Sequence, residues 1–274
     1  MIGLPEDIAS ALDVLGRWRP DVKLDVRWFD TVGSTMNEAA SLASVGTAAG
    51  VVIGADEQTA GRGRRGHSWH SAPGAGLYFS WLCRPHLDVS TLPLVTLAAG
   101  VGVHRGIKTA TGLSTDLKWP NDLLVEGRKI AGILAEGCAL GSPDQAVIVG
   151  VGINLRHSVY PPDIASRATS IEAELGRPVE RAPVLVEVLC GLVDAVAGLE
   201  TDRDGILRAW RAAAPSALGT RVEWNDASGV RQGVTAGVDD DGALLIQTEV
   251  SRERVIAGEV RWLRDGEERV ASSE

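Results

Sequence analysis

The chain has 274 residues, of which 45% are hydrophobic and 23% are charged, as is ordinary for a folded protein with one large domain or a large and a small one. Its formal net charge of −9 argues against general affinity for nucleic acid, because such affinity requires a broad basic surface. No segment approaches 18 uninterrupted apolar residues and the N-terminus lacks an export pattern, so we expect neither a membrane span nor an export signal.

Helices and strands alternate through the first 213 residues. The predicted elements are, in order, a helix over 5–18, a strand over 26–32, a helix from its capping residue Ser34 to about 45, strands over 51–56 and 76–84, and a long buried helix over 92–111. Strands at 117–119, 122–125 and 129–137, with a turn at 126–128, predict a hairpin, which a strand over 145–155 follows. Helices are predicted over 169–175, 183–199 and 205–213.

The character of the chain changes near Pro215. Short alternating runs at 221–224, 233–238, 243–247 and 254–262 predict four strands of a small all-β barrel. We therefore predict an α+β fold, with a mixed domain over residues 1–215, a barrel over 216–266 and a polar tail over 267–274.

Three glycines and three arginines make up residues 61–66, which we call the arginine loop. Glycine lets the backbone approach a ligand closely, and arginine offers a fork of donors that suits phosphate and carboxylate. In an acidic chain this loop predicts a small anionic ligand, and Trp69 is near enough to cover a ring. A solvated, disordered loop without a ligand explains the composition equally well.

The arginine loop also matches the G-x-G-x-x-G pattern of dinucleotide-binding folds. In those folds the third glycine opens a helix, whereas residues 67–76 contain serine, proline and glycine and do not predict one. No glycine of the loop is followed by Lys-Ser or Lys-Thr, so the Walker pattern is absent. A phosphate bound here would be held by arginine and backbone amides outside both frameworks.

A second unusual run is Lys-Trp-Pro-Asn-Asp at residues 118–122. The proline predicts extended backbone and leaves the next two side chains able to turn toward a ligand; a tight turn with a solvated lysine is the alternative. Lys129 begins an otherwise apolar strand, either as the guard of a sheet edge or as a charge held over a pocket, and Gly132 favours the pocket. Glycines at 150 and 152 indicate close approach by a ligand.

The cysteines and histidines predict neither disulfides nor a structural metal. Cys83, Cys138 and Cys190 are odd in number and far apart, which indicates reduced thiols of a cytoplasmic protein. The five histidines show no ligand spacing, so no structural zinc site is expected.

Taken in order, these motifs resemble those of the biotin protein ligases. The resemblance rests on Asp-Thr-Val-Gly-Ser-Thr at 30–35, Gln-Thr-Ala-Gly at 58–61 with the arginine loop, the run at 118–122, Arg-Lys-Ile-Ala-Gly at 128–132 and Gly-Val-Gly-Ile-Asn at 150–154. It covers about residues 26–264. It implies a mixed-sheet catalytic domain of the class II synthetase type, shared with lipoate ligases, followed by an SH3-like barrel.

The resemblance also implies roles for individual residues. Arg62, Arg64 and Lys129 would be the catalytic residues, in contact with the biotin carboxylate and the phosphate of the adenylate. The implied biotin-binding residues are Ser34, Thr35, Gln58, Gly61, Arg62, Arg64, Lys129, Gly132, Gly150 and Gly152. The implied ATP-binding residues are Arg64, Arg65, Trp69, Lys118, Asn121, Asp122 and Asn154. Asp122 would also hold Mg²⁺ through water, since Mg²⁺ is bound by hard oxygen ligands.

The implied reaction activates biotin with ATP as biotinyl-5′-AMP and transfers it to a lysine of the biotin carboxyl carrier domain of a carboxylase. ATP and Mg²⁺ would be required, and no structural metal. Relatives that repress transcription carry an N-terminal helix-turn-helix domain. About 25 residues precede the first motif here, so we expect a monofunctional enzyme, monomeric or weakly dimeric, that does not bind DNA.

Two alternatives stay open. A lipoate-protein ligase shares the implied scaffold and the adenylation chemistry, but it differs in the arginine loop and in the run at 118–122. A nucleic-acid-binding module would use the arginine loop as an RNA contact, and its affinity would fall steeply with salt. The chain also departs from the family pattern. It has Met36 where asparagine is frequent, and His67-Ser68 where further basic residues are frequent.

Overall fold

The larger part of the protein is built on one mixed sheet. The computed structural model describes residues 3–158, 160–226, 229–256, 258 and 260–263. The strands of this sheet are β1 (Asp25–Val32), β2 (Val51–Gln58), β3 (Gly76–Cys83), β4 (Asp116–Lys118), β5 (Asp122–Val125), β6 (Arg128–Cys138) and β7 (Ala146–Asn154). Their order is β1-β2-β3-β7-β6-β5-β4, in which β1 and β2 are parallel and the other neighbours are antiparallel.

Helices connect and cover these strands. They are α1 (Glu6–Trp18), α2 (Thr35–Ser44), α3 (Pro93–Thr111), α4 (Pro162–Ala165), α5 (Ile171–Leu175), α6 (Arg181–Thr201) and α7 (Arg203–Ala212). The predicted helices and strands of this region are confirmed with small shifts at their ends. The single turn of α4 is an element that the sequence pattern did not predict.

The two faces of the sheet have different covers, because side chains alternate along a strand. On β7, Val147 and Val149 lie in a large apolar cluster to which α3 and α6 contribute, and we call this side the helical face. Ile148 lies in a second cluster with Met36 and Ala39 of α2, and we call this side the site face. The valine-rich β7 is therefore buried on both sides.

On the helical face, glycine brings α3 and α6 into backbone contact. A Cβ at Gly102 would lie 2.5 Å from the carbonyl oxygen of Gly191, and a Cβ at Gly106 would lie 2.5 Å from the Cα of Val188. Within the described residues, α6 is the one helix that is long and apolar enough to cross a membrane, but 56% of that stretch is buried inside the protein. The contacts of α6 are those of a core helix.

The described C-terminal residues form a second, antiparallel sheet. Its strands are β8 (Leu218–Asp226), β9 (Gly229–Val238), β10 (Leu244–Gln247), β11 (Arg252–Val255) and β12 (Val260–Trp262), in the order β11-β10-β9-β8-β12. This arrangement is consistent with a small SH3-like domain. The single strand predicted over 254–262 is wrong, since β11 and β12 lie at opposite edges. Val255 and Val260 are both buried although they are an odd number of residues apart, so they cannot lie on the same face of one regular strand.

The C-terminal sheet packs on the turn between β4 and β5. The indole Nε1 of Trp119 donates a hydrogen bond to the carbonyl oxygen of Gly242 at 2.9 Å. The Nζ of Lys118 lies 4.6 Å from the centroid of the Trp262 ring. The domain boundary after residue 215 stays a prediction, and the tail over 267–274 lies outside the described residues.

Candidate active site

Residues 61–69 form a short hairpin that contains the arginine loop, and we call it the arginine hairpin. The backbone N–H of Trp69 donates to the carbonyl of Gly61 at 2.9 Å, and that of Gly63 donates to the carbonyl of His67 at 2.7 Å. A 3-10 turn over Arg64–Gly66 closes the hairpin. The arginine loop is therefore a hydrogen-bonded structure, and it opens no α-helix, as the sequence predicts.

The indole of Trp69 covers a bare part of the sheet. Gly132 on β6 and Gly152 on β7 are direct partners across the two strands. A Cβ at Gly132 would lie 2.7 Å from Cζ3 of the indole, and a Cβ at Gly152 would lie 2.5 Å from its Nε1. This Nε1 is buried and has no hydrogen-bond partner among the described residues. The two glycines make a flat floor for a ring, and Trp69 occupies that floor in this structure.

A β-bulge in β6 directs the side chain of Lys129 to the site face. Ile130 is inserted between the pairs that Lys129 and Ala131 make with β5. Ile130 and Ala131 both join the apolar cluster of the helical face. The bulge thereby returns Lys129 to the site face, where its Nζ lies 5.2 Å from the centroid of the Trp69 ring and would lie 3.2 Å from a Cβ at Gly132.

Two cationic side chains contact residues of the 118–122 run at the end of the glycine floor. The Nζ of Lys129 pairs with Oδ1 of Asp122 at 2.6 Å. The Nη1 of Arg64 lies 3.4 Å from Oδ1 of Asn121, whose Nδ2 is held by a β6 carbonyl at 2.7 Å. Burial lowers the pKa of Arg64 and the charge of Arg65 lowers it further, while Asp122 opposes both. The cluster is thus a partly desolvated positive site with one carboxylate.

The role of Asp122 in holding Mg²⁺ through water stays a prediction, because Mg²⁺ at a nucleotide site is bound by one or two carboxylates together with phosphates and water. Its carboxylate is paired with the Lys129 ammonium, and the described part of the chain contains no cluster of three or more His, Cys, Asp or Glu residues that could hold a metal. In this structure the geometry supports one role for Asp122, namely to orient Lys129. The backbone beside it turns over residues 119–121, and the peptide before Pro120 is cis.

A chain of hydroxyl and amide groups joins the sheet to the base of the arginine hairpin. The Thr35 and Ser80 hydroxyls are 2.8 Å apart, Gln58 Oε1 accepts from the Thr35 N–H at 2.9 Å, and Gln58 Nε2 donates to Ser71 at 2.9 Å. Ser34 is the N-cap residue of α2, but its side chain makes no capping hydrogen bond, so the predicted side-chain cap is wrong; Gln58 instead accepts from the N–H of the first helical residue. The Ser34 hydroxyl is buried and has no partner among the described residues, which favours a bound polar group.

Arg62 points away from the two clustered cations. Its Nη1 donates to Oδ1 of Asn37 at 3.1 Å, and its Nη2 pairs with Oε1 of Glu136 at 2.5 Å. The structure thus brings Arg64 and Lys129 together and places the Arg62 guanidinium at the other edge of the arginine hairpin.

Four more of the predicted site residues make other contacts. A Cβ at Gly150 would lie 2.6 Å from Sδ of Met36, so α2 covers this glycine. The Nδ2 of Asn154 donates to a backbone carbonyl before α5 at 2.9 Å. Lys118 lies against the C-terminal sheet, as described above. Arg65 is exposed on the turn of the arginine hairpin, with φ at 55°.

Two parts of the chain match families of known proteins. Residues 28–154 match the Biotin/lipoate A/B protein ligase family, and residues 217–261 match the Biotin protein ligase C terminal domain. The Biotin--[acetyl-CoA-carboxylase] ligase of Paracoccus denitrificans is 32% identical over 233 residues, which cover 83% of this chain and 96% of that protein. The chain belongs to the biotin protein ligase family.

Other members of the biotin protein ligase family agree with this assignment. The Bifunctional ligase/repressor BirA of Bacillus subtilis is 32% identical over 235 residues, which cover 85% of this chain and 72% of that protein. The biotin protein ligase from Aquifex aeolicus, solved in complex with biotin and ATP, superposes with a TM-score of 0.74 at 30% identity and covers 88% of this chain and 99% of that one. The match of the C-terminal sheet favours this family over the lipoate ligases.

Several residues at this biotin protein ligase site were not predicted from the sequence. They are Asn37, Ser71, Ser80 and Glu136. Glu136 could have been predicted from the sequence, because it lies an even number of residues from Gly132 on β6, and this spacing places both residues on the site face. The contacts of Asn37 and Ser71 depend on where the arginine hairpin folds, and no local pattern encodes that position.

Proposed function

We propose that the protein activates biotin with ATP as biotinyl-5′-AMP and transfers the biotinyl group to a lysine of a biotin carboxyl carrier domain. The observation that carries the proposal is the convergence of Arg64 and Lys129 beside a glycine floor that a ring can occupy. Relatives named as biotin--[acetyl-CoA-carboxylase] ligases and a similar structure solved with biotin and ATP support the same reaction.

The first step joins two groups that repel each other. An oxygen of the biotin carboxylate attacks the α-phosphorus of ATP, a new oxygen–phosphorus bond forms, and pyrophosphate leaves. Lys129 and Arg64 offset the repulsion and stabilise the charge that develops on the phosphoryl oxygens. Asp122 holds Lys129 in place, and Asn121 lies beside Arg64. No side-chain nucleophile is needed, because the substrate carboxylate is the nucleophile.

We assign the glycine floor and the polar groups behind it to biotin. The ring system lies on Gly132 and Gly152 once the Trp69 indole lifts away, and the hydroxyls of Ser34 and Thr35 bind the polar head. The lifted indole then shields the nucleotide. This exchange explains why a large indole, whose buried N–H has no hydrogen-bond partner among the described residues, lies on a floor that has no side chains of its own.

The second step transfers the acyl group to the carrier. The lysine amine attacks the acyl carbon, an amide bond forms, the amine loses its proton, and AMP leaves with the bonding electron pair. The adenylate is a mixed anhydride that water hydrolyses, so closure of the arginine hairpin over it protects the intermediate.

Several finer points stay predictions. They are the nucleotide contacts of Lys118, Arg65 and Asn154, the requirement for Mg²⁺ together with ATP, a monomeric or weakly dimeric state, and the absence of DNA binding. The net charge of −9 supports the last of these.

Pyrophosphate release tests the proposal. The protein is incubated with ATP and either biotin or lipoate, and afterwards with a carrier domain or the same domain with its target lysine replaced by arginine. We expect release with biotin, and a mass increase on the intact carrier alone. Release with lipoate only would assign a lipoate ligase. Salt-sensitive RNA binding without any ATP turnover would assign a nucleic-acid-binding module.

A further inference from the structure

The Arg62 guanidinium ties the arginine hairpin to two other elements. Arg62 pairs with Ser68 across the hairpin, so its position fixes both strands. One of its terminal nitrogens donates to Asn37 in the first turn of α2, and the other pairs with Glu136 near the end of β6. Both elements also carry site residues, Thr35 on α2 and Gly132 on β6. The contacts of Arg62 therefore fix the position of the arginine hairpin relative to α2 and β6.

Little else among the described side chains holds this edge of the arginine hairpin. At 3.4 Å the contact of Arg64 with Asn121 is long for a hydrogen bond. A cavity of about 350 Å³ separates the hairpin from β6, and Leu134 and Glu136 form its strand side. Opening the hairpin at this edge would break the pair of Arg62 with Glu136.

The ion pair between Arg62 and Glu136 is strong enough to shift a local opening equilibrium of the hairpin, but too weak to change global folding. The side chains of Arg62 and Glu136 are 37% and 36% exposed. Ion pairs of this exposure change an equilibrium constant by roughly 1.5-fold to 5-fold. Such a factor is small beside folding equilibrium constants of about 10³–10⁸. It is decisive, however, for a segment whose open and closed states are nearly balanced.

We propose that Glu136 is a positioning residue that, together with Asn37, holds the arginine hairpin closed through Arg62. The functional consequence of this closure rests on the proposed function. The closed hairpin retains biotinyl-AMP until the carrier lysine arrives. Guanidinium has five N–H donors, so Arg62 keeps donors for a ligand anion while Glu136 and Asn37 hold it. Loss of the pair shortens the lifetime of the bound adenylate more than it slows adenylate formation.

Trypsin measures hairpin opening in the whole protein without any ligand. Trypsin cleaves after arginine, and Arg64 and Arg65 lie at the turn of the arginine hairpin. We expect Glu136→Gln to speed cleavage there by roughly 2-fold to 5-fold, with an unchanged urea midpoint. The matched control is Glu223→Gln, a half-buried strand glutamate of the C-terminal sheet that accepts from Gln232. Equal cleavage rates in Glu136→Gln and the unsubstituted protein would overturn the proposal.

A double-substitution cycle then tests whether Glu136 acts through Arg62. Each variant is loaded with biotin and ATP, and the decay of bound biotinyl-AMP is followed by chromatography. We expect Glu136→Gln to shorten the lifetime by roughly 2-fold to 5-fold while the KM for biotin changes less, and to have no further effect beside Arg62→Gln. Effects that multiply in the double variant would refute the coupling. If the unsubstituted protein forms no adenylate, the proposed function fails, and the trypsin comparison still decides the anchoring role.

Discussion

On the helical face of the central sheet, α3 and α6 meet backbone to backbone and pack against alternating valine and isoleucine residues. On the site face, α2 covers one half of the same strands, and the other half is bare glycine beneath the arginine hairpin. Glycine serves both faces for opposite reasons. At Gly102 and Gly191 it lets two helices touch, whereas at Gly132 and Gly152 it leaves room that a ligand can fill. Glycine content alone therefore does not locate a site.

Removing the Lys129 side chain should have the largest effect of the substitutions, and it should lower activity while leaving stability nearly unchanged. Lys129→Ala deletes a preorganised donor, so we expect single-turnover pyrophosphate release to slow by about 10²–10³-fold. The free energy of unfolding, measured in urea, should change by less than about 1 kcal/mol, because Lys129 is partly exposed. Arg64→Ala should behave in the same way.

The control for this comparison is Lys108→Ala, an exposed lysine at the end of α3. It should leave both measurements unchanged. A Lys129 variant that is destabilised, yet retains normal activity per folded molecule, would show that the lysine has a structural role.

Adding a methyl group between α3 and α6 should affect the helical face alone. Gly102→Ala places a Cβ against the backbone of Gly191, which cannot move aside, so we expect a loss of about 1–3 kcal/mol in the free energy of unfolding. The matched control is Gly16→Ala in α1, where a Cβ meets nothing within 4 Å and alanine should stabilise the helix slightly. A stable Gly102→Ala protein would show that the two helices are less closely packed than described.

The same substitution on the site face should affect binding and leave stability unchanged. The three atoms nearest to a Cβ at Gly152 all belong to the side chain of Trp69, which can shift, so folding should tolerate Gly152→Ala. One methyl group in a binding pocket costs about 1–3 kcal/mol, and calorimetry should show biotin affinity reduced about tenfold or more. Unchanged affinity in this variant would remove biotin from the glycine floor.

The smallest effect concerns His104 on the helical face. Burial lowers its pKa, the hydrogen bond with Thr115 opposes this, and Lys108 and Arg105 lower it further. The unfolded chain therefore binds more protons between the folded pKa and the ordinary value near 6.5. The free energy of unfolding should fall as the pH drops through 6.5 toward the folded pKa. His104→Gln should show a shallower decline in urea titrations at several pH values, and parallel curves would contradict the assignment.

Local patterns in the sequence predicted most of the fold. Period-two alternation located β3, valine and isoleucine content located β7, and apolar length located α3 and α6. The motifs also predicted that Arg64 and Lys129 belong to one site. Three other features depend on long-range contacts that alternation does not encode. They are the turn of Arg62 toward Glu136, the place of the Trp69 indole on the glycine floor, and the separation of β11 from β12.

The bulge at Ile130 decides which face of the sheet Lys129 reaches. If β6 paired with β5 in unbroken alternation over the same residues, Ile130 would take the place opposite Leu124, and the ammonium of Lys129 would face the aliphatic side chains of the helical face. An unpaired charge is not tolerated in such surroundings. We therefore expect loss of the bulge to be as harmful to the site as loss of Lys129 itself, even where every residue type of the motif is retained.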